Sequence, residues 1–160
     1  NVWGAMSADQ GRDLLFLPTS GPSPDFFGGT RPGDNRYSSS LVALRGRTGE
    51  VAWHFQTVHH DVWDYDNAAQ PTLVELTRDG QPFPAVIQAT KTGMLYIFHR
   101  ETGEPFFPIE ERPVPTKSEN SKRHACSAIR IDRSTSWRSL ALKPSPTATG
   151  PTRLGRLRRA

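Results

Sequence analysis

The 160-residue sequence has a single cysteine, Cys126. That excludes an internal disulfide and any metal site built on several thiolates. Long apolar runs are missing too: no stretch approaches the roughly eighteen residues of a membrane-spanning helix, and no basic-then-apolar leader opens the chain. The first residue is Asn1 rather than Met, the start expected of a piece or a processed chain, so the missing leader carries no information on compartment. Core-forming residues are scarce, at 35% apolar with mean hydropathy −0.58. Turn-forming residues are abundant, and 13 Gly and 14 Pro favour many turns over long helices.

The formal charge of +4 averages two unlike regions. Residues 1–120 hold ten Lys/Arg against fifteen Asp/Glu, whereas residues 121–160 hold ten Lys/Arg against Asp132 alone. The high isoelectric point belongs to the end of the chain. Such asymmetry raises the question of a nucleic-acid or membrane tail.

Residues 14–17, Leu-Leu-Phe-Leu, form a compact apolar run stopped by Pro18. A long loop follows at 19–36 and, with Pro18, contains four prolines and four glycines, so it is no helix interior. Loops of this length are often functional. Residues 40–44 and 51–55 flank a polar turn and predict a β-hairpin. Residues 71–76, 85–87 and 94–98 predict further strands, with turns at Asp79-Gly80 and Thr102-Gly103. Residues 43–53 read A-L-x-x-x-T-G-E-x-x-W, and residues 97–107 read I-F-H-R-E-T-G-E-P-F-F, so the two T-G-E turns lie 54 residues apart. A period of forty to fifty-odd residues with four short strands suits a propeller blade. Two copies alone leave a β-sandwich equally open.

The densest group of reactive side chains is His59-His60-Asp61-Val62-Trp63-Asp64-Tyr65-Asp66. A carboxylate beside aromatic rings is partly desolvated, which raises its proton affinity and suits a general base. A polar loop organised by Asx turns is the structural alternative. Adjacent histidines on an extended segment point to opposite faces, which argues against a metal site there. Lys91, in the turn 89–93, is either a solvated loop lysine or an ammonium able to stabilise an oxyanion. Trp3 reads by default as core.

Several stretches resemble the pyrroloquinoline quinone (PQQ)-dependent glucose dehydrogenase family. They are Trp3-x-x-Met6-Ser7, the loop 23–29 (Ser-Pro-Asp-Phe-Phe-Gly-Gly), Tyr37-Ser38-Ser39-Ser40, the long run 53–66, and Lys91-Thr92-Gly93. The Q-T-V-H-H-D-x-W-D segment is highly specific, and the resemblance covers residues 1 to about 115. It implies an all-β architecture, about two blades of an eight-bladed quinoprotein β-propeller, with a partial propeller at 1–118. It implies PQQ near the propeller axis and a divalent cation, Ca²⁺ or Mg²⁺, in the intact parent. It also implies that the T-G-E/W turns lock neighbouring blades, with Trp53 docked between them.

By motif match, Asp64 falls on the catalytic aspartate that accepts the substrate hydroxyl proton while hydride passes to the quinone. Lys91 falls on the basic residue that hydrogen-bonds the quinone oxygens. Trp3 falls on the tryptophan that stacks on the cofactor ring, and Ser23 falls where a hydroxyl residue near the cofactor is usual. Many relatives carry a metal-ligating Asn where this chain has Gly21, which lacks a side-chain oxygen, so the metal ligands stay unassigned. The implied partners are a glucose-like aldose or an alcohol as substrate, a quinone or other electron acceptor, and the missing blades of the parent. The implied location is the periplasm, with any inner-membrane anchor in a part not present here.

Residues 119–160 break the resemblance. They are basic, rich in Ser, Arg, Ala and Pro, and without sustained periodicity, so a low-order tail is expected. Such a texture fits an out-of-frame reading of a GC-rich gene. A nucleic-acid tail is the rival, but the aromatic interleaving of stacking platforms is absent, so no nucleic-acid partner is expected. Three functions stand in order: a dehydrogenase segment inactive on its own, a non-catalytic β-propeller binding module, and a basic interaction protein.

Overall fold

The computed structural model describes residues 1–112 and the strand Ala128–Ile131. These residues are all-β, apart from 3₁₀ turns at Gln10–Arg12 and Gly28–Thr30. The first sheet contains β1 (Ser7–Asp9), β2 (Leu14–Pro18), β3 (Ser40–Arg45) and β4 (Val51–Gln56), each antiparallel to the next in chain order. Along β2 the buried Leu14, Phe16 and Pro18 alternate with half-buried Leu15 and Leu17, the two-residue period of a strand with one face in the core. The second sheet contains β5 (Thr72–Arg78), β6 (Gln81–Ala89) and β7 (Leu95–His99), again in chain order. Its first hairpin turns at Asp79 (φ 51°) and Gly80 (φ 79°), the double left-handed geometry of a tight hairpin. Pro82 and Pro84 pair with β5 only, because β7 joins β6 from Ala85 onward. Neither missing N–H therefore breaks a ladder on the β7 side.

The two T-G-E turns are the same object twice. In the first, the Arg45 amide donates to the Glu50 carbonyl at 2.8 Å and the Gly49 amide to Arg45 at 2.8 Å. In the second, 54 residues on, the His99 amide donates to Glu104 at 2.8 Å and the Gly103 amide to His99 at 2.9 Å. After the first turn β4 runs for six residues. After the second, the corresponding segment at Phe106-Phe107 is reduced to a bridge between Phe98 and Pro105, plus the Phe106 amide donating to Ile97 at 2.8 Å. The tandem Phe side chains explain the difference: Phe106 turns edge-on to Phe83 (5.0 Å) and Phe107 edge-on to Phe106 (4.9 Å). β8 (Ile109–Arg112) then pairs antiparallel with β9 (Ala128–Ile131).

The sheets stack face to face. Leu14, Phe16, Leu41 and Ala43 of the first form one core with Val86, Tyr96 and Phe98 of the second. Trp53 and Phe55 project from β4 into this interface, with ring centroids 5.7 and 4.7 Å from Phe98. The Trp53 indole lies against the second T-G-E turn: a Cβ on Gly103 would come within 2.8 Å of Trp53 Cδ2. The Trp53 Nε1–H donates to the Arg100 carbonyl at 2.7 Å. The buried Arg100 guanidinium reaches Asp9 (2.9 Å) and Glu75 (2.9 Å), and donates to the carbonyls of Ala85 and Val74. A buried cation is tolerable only when so fully paired. Burial pushes the Asp9 carboxyl up, but hydrogen bonds from Arg100 and Arg12 outweigh it and hold the group below its ordinary value.

Sheet-on-sheet stacking of meanders joined by a tryptophan on the neighbour's turn is the packing of propeller blades. Among the described residues there is one four-stranded blade and three strands of a second. The expected propeller part (1–118) is described as far as residue 112, whereas the expected low-order tail (119–160) lies outside the described residues apart from the four residues of β9, which form a strand.

Candidate active site

The loop leaving β4 is shaped by two buried side chains. His60 is buried with Nδ1 2.7 Å from the Gly33 carbonyl. A Cβ on Gly28 would overlap its Nε2, so the glycine lets the long loop close over the ring. Asp61 is fully buried. Its Oδ1 accepts from the Trp63 amide (2.8 Å), and its Oδ2 from the Tyr65 amide (2.8 Å) and Ser39 Oγ (2.9 Å). These bonds wrap the backbone round the Asp61 carboxylate. Asp64 stands at the tip in the left-handed region, φ 59°, a conformation that Asp tolerates better than most residues.

Lys91 arrives from the turn between β6 and β7. There the Gly93 amide donates to Thr90 (3.1 Å) at φ 76°. Its ammonium donates to the Asp64 carbonyl at 2.9 Å and lies 3.4 Å from Asp64 Oδ2 and 3.2 Å from Asp66 Oδ2. Residues 64 and 91 thus meet across 27 positions of chain. Desolvation opposes the Lys91 charge, yet the Asp66 and Asp64 carboxylates prevail and raise its pKa. Burial pushes Asp66 up, but the Gly21 amide at 2.5 Å and Lys91 together carry it below its ordinary value.

The other expected residues lie less close. The Trp3 side chain is 62% exposed. Its chain neighbours are held at this end of the molecule: the Ser20 amide and hydroxyl donate to Asn1 at 3.0 and 2.6 Å, and a Cβ on Gly4 would lie 2.8 Å from the Ala68 carbonyl. The reading of Trp3 as core by default is corrected by this exposure. Ser23 is exposed, two residues beyond Gly21 and outside the Lys91 cluster. The neighbouring histidines diverge, His60 toward Gly33 and His59 toward Glu111 (Nε2 to Oε1, 3.1 Å). Among the described residues no group of three or more His, Cys, Asp or Glu could hold a metal ion. A Cβ on Gly21 would sit 3.2 Å from Asp61 Oδ2 and 3.5 Å from Asp66 Oδ1, so a side chain there meets two carboxylates.

Sequence reasoning assigned no role to Asp66, Asp61 or Gly21. Asp66 was visible only as one carboxylate of a dense cluster. Its Gly21 and Lys91 partners lie 45 and 25 residues away, and no local spacing signals them.

The matched family is described as the glucose/ethanol/alcohol dehydrogenase β-propeller domain of the PQQ type, over residues 1–127. The chain is 45% identical over 118 residues to the large subunit of glycerol dehydrogenase from Gluconobacter oxydans, covering 72% of this chain and 16% of that protein. It is 45% identical over 116 residues to quinoprotein glucose dehydrogenase of Escherichia coli, covering 72% and 15%. Among solved structures it is similar to a quinohemoprotein alcohol dehydrogenase from Pseudomonas putida, with TM-score 0.60 and 35% identity over 67% of this chain and 17% of that one. It is also similar to a europium-containing methanol dehydrogenase, with TM-score 0.61 and 30% identity over 75% and 22%. The chain thus spans about one sixth of the length of the curated relatives it matches. The stacked blades and the repeated turn agree with this match over residues 1–127, and the chain belongs to the family of PQQ-dependent dehydrogenase β-propellers.

Proposed function

We propose that this chain is the part of a PQQ-dependent dehydrogenase that brings the proton acceptor and the quinone-facing cation together, in a parent that oxidises a glucose-like aldose or an alcohol. One observation carries the reading: the Lys91 ammonium is seated against Asp64, 2.9 Å from its carbonyl and 3.4 Å from its carboxylate. Both are among the four residues the family motifs single out, with Trp3 and Ser23.

The residues present fit the cofactor. Lys91 offers a fixed ammonium to an electron-poor carbonyl pair, and the exposed Trp3 indole offers a flat apolar face on which a planar ring can stack. PQQ, when bound, supplies the two-electron acceptor. The Asp64 carboxylate, half in solvent at 42% side-chain exposure, takes the proton of the substrate hydroxyl. Lys91 stays charged beside it and hydrogen-bonds the oxygens on which negative charge develops. Ser23 supplies a hydroxyl at the loop edge. The described residues do not fit a divalent cation by themselves, since Gly21 has no side-chain oxygen and no acidic cluster closes a cage. Ca²⁺ or Mg²⁺ in the parent would need oxygen ligands from elsewhere, and no step here depends on it.

The electron acceptor is a quinone or a comparable carrier, and the location is the periplasm, with any inner-membrane anchor outside this chain. The isolated chain is inactive, because two blades leave open the faces that neighbours would cover.

In the restored full-length parent, dye reduction with glucose should fall by about a hundredfold or more for Asp64→Asn with PQQ retained. Unchanged turnover would leave a non-catalytic binding module. For the 160-residue chain alone, tight stoichiometric PQQ binding would overturn the expected inactivity.

A further inference from the structure

Two carboxylates face Lys91, and they are held differently. Asp66 is largely buried, with 13% side-chain exposure against 42% for Asp64. One Asp66 oxygen is fixed by the Gly21 amide at 2.5 Å, which leaves the other, 3.2 Å from Lys91, aimed at the ammonium. Asp64 contributes its carbonyl at 2.9 Å, while its carboxylate is the more distant and more exposed partner at 3.4 Å. Gly21 completes the arrangement. Its virtual Cβ lies 3.2 Å from Asp61 Oδ2, a tight contact, and 3.5 Å from Asp66 Oδ1, an ordinary one, so a side chain here would press on the carboxylate its N–H holds.

We infer that Gly21, Asp66 and Lys91 form a positioning relay: the Gly21 amide orients the Asp66 carboxylate, and Asp66 holds the Lys91 ammonium in place beside Asp64. This deepens the functional reading above and rests on it for the role of Lys91. Asp66 is a positioning residue, because it acts through Lys91. The division of labour follows from electrostatics. If Asp64 were the main anchor of the ammonium, taking up a proton would loosen the cation it must work beside. With Asp66 as anchor, the cation keeps a carboxylate partner at 3.2 Å when Asp64 takes up a proton.

The test needs neither cofactor nor turnover, so its failure is distinct from failure of the dehydrogenase reading. In the 160-residue chain, the Gly21 amide proton shift is followed by NMR as pH falls from 6 to 2. It should titrate with a midpoint below the ordinary aspartate value of 3.8, and Lys91→Met should move that midpoint up by about one pH unit. Asp64→Asn should leave the Gly21 titration in place, with Lys91 Nζ, seen by selective ¹⁵N-lysine labelling, still in its wild-type position. A Gly21 amide that does not titrate, a midpoint unmoved by Lys91→Met, or a Lys91 signal lost on Asp64→Asn would each overturn the relay. The wild-type titration decides the first point even if a variant fails to fold.

Discussion

The two glycines of the repeated T-G-E turn have nearly the same backbone, Gly49 at φ 75° and Gly103 at φ 72°, and opposite surroundings. Gly103 lies under Trp53, whose Cδ2 would be 2.8 Å from an added Cβ. Gly49 has nothing within 4 Å of that position. The local hairpin is therefore written by Thr-Gly-Glu alone, and the turn needs no neighbour to form. What the neighbour adds is packing: a tryptophan that joins one blade to the next. Gly49 carries the same turn with its outer face bare. Of the two repeated turns, one is filled by an indole and the other faces water.

The largest expected effect comes from removing the filled contact. Trp53→Ala deletes the ring packing on Phe16 and Phe98 and the hydrogen bond to the Arg100 carbonyl. It should cost about 3 kcal/mol in urea unfolding. A loss below about 1 kcal/mol would mean that the sheets are joined by something other than this indole.

Alanine at the paired glycines sharpens the same comparison. Both substitutions incur the left-handed backbone cost of about 1–2 kcal/mol. Gly103→Ala should incur about 1–3 kcal/mol more, as the indole is pushed from its seat. Equal losses at the two positions would remove the distinction between filled and open turns. Tryptophan fluorescence should shift for Gly103→Ala and stay unchanged for Gly49→Ala.

How much of this was legible beforehand follows from range. The strands around Leu14, Val42, Trp53, Val74, Val86 and Ile97 were legible because each repeats an apolar pattern over two to six neighbouring residues, and the T-G-E turns because their chemistry is local. β1 was not, since Ser7-Ala8-Asp9 has no apolar pattern and becomes a strand only by pairing with β2. The shortened strand after Pro105 was hidden because Phe106 and Phe107 look like strand residues, while their packing on Phe83 is set by the fold. At the candidate site, Asp64 and Lys91 were reached through motif likeness, and their meeting across 27 residues was not readable from spacing. Asp66 escaped because its function depends on a glycine amide 45 residues upstream. An amide carries no sequence signature.

The acid limb of stability compares the blade interface with the loop cluster through one carboxylate in each. Asp9 and Asp66 are both held below the ordinary value of 3.8, Asp9 by Arg100 and Arg12 against burial, and Asp66 by the Gly21 amide and Lys91 against burial. A carboxyl depressed in the folded state contributes stability that is present above its unfolded pKa and is lost as pH falls through the folded one. Unfolding free energy should therefore drop as pH is lowered below about 4. Asp9→Asn should flatten that drop and also lower stability at neutral pH, because it leaves the buried Arg100 guanidinium with Glu75 as its carboxylate partner. Asp66→Asn should flatten the drop with the smaller neutral-pH loss, since the Asp64 carbonyl still holds Lys91 at 2.9 Å. Urea titrations at neutral and acid pH measure both slopes. If Asp66→Asn leaves the acid slope as steep as wild type, then the loop cluster does not contribute to the folded state's acid sensitivity, and the interface carries it alone.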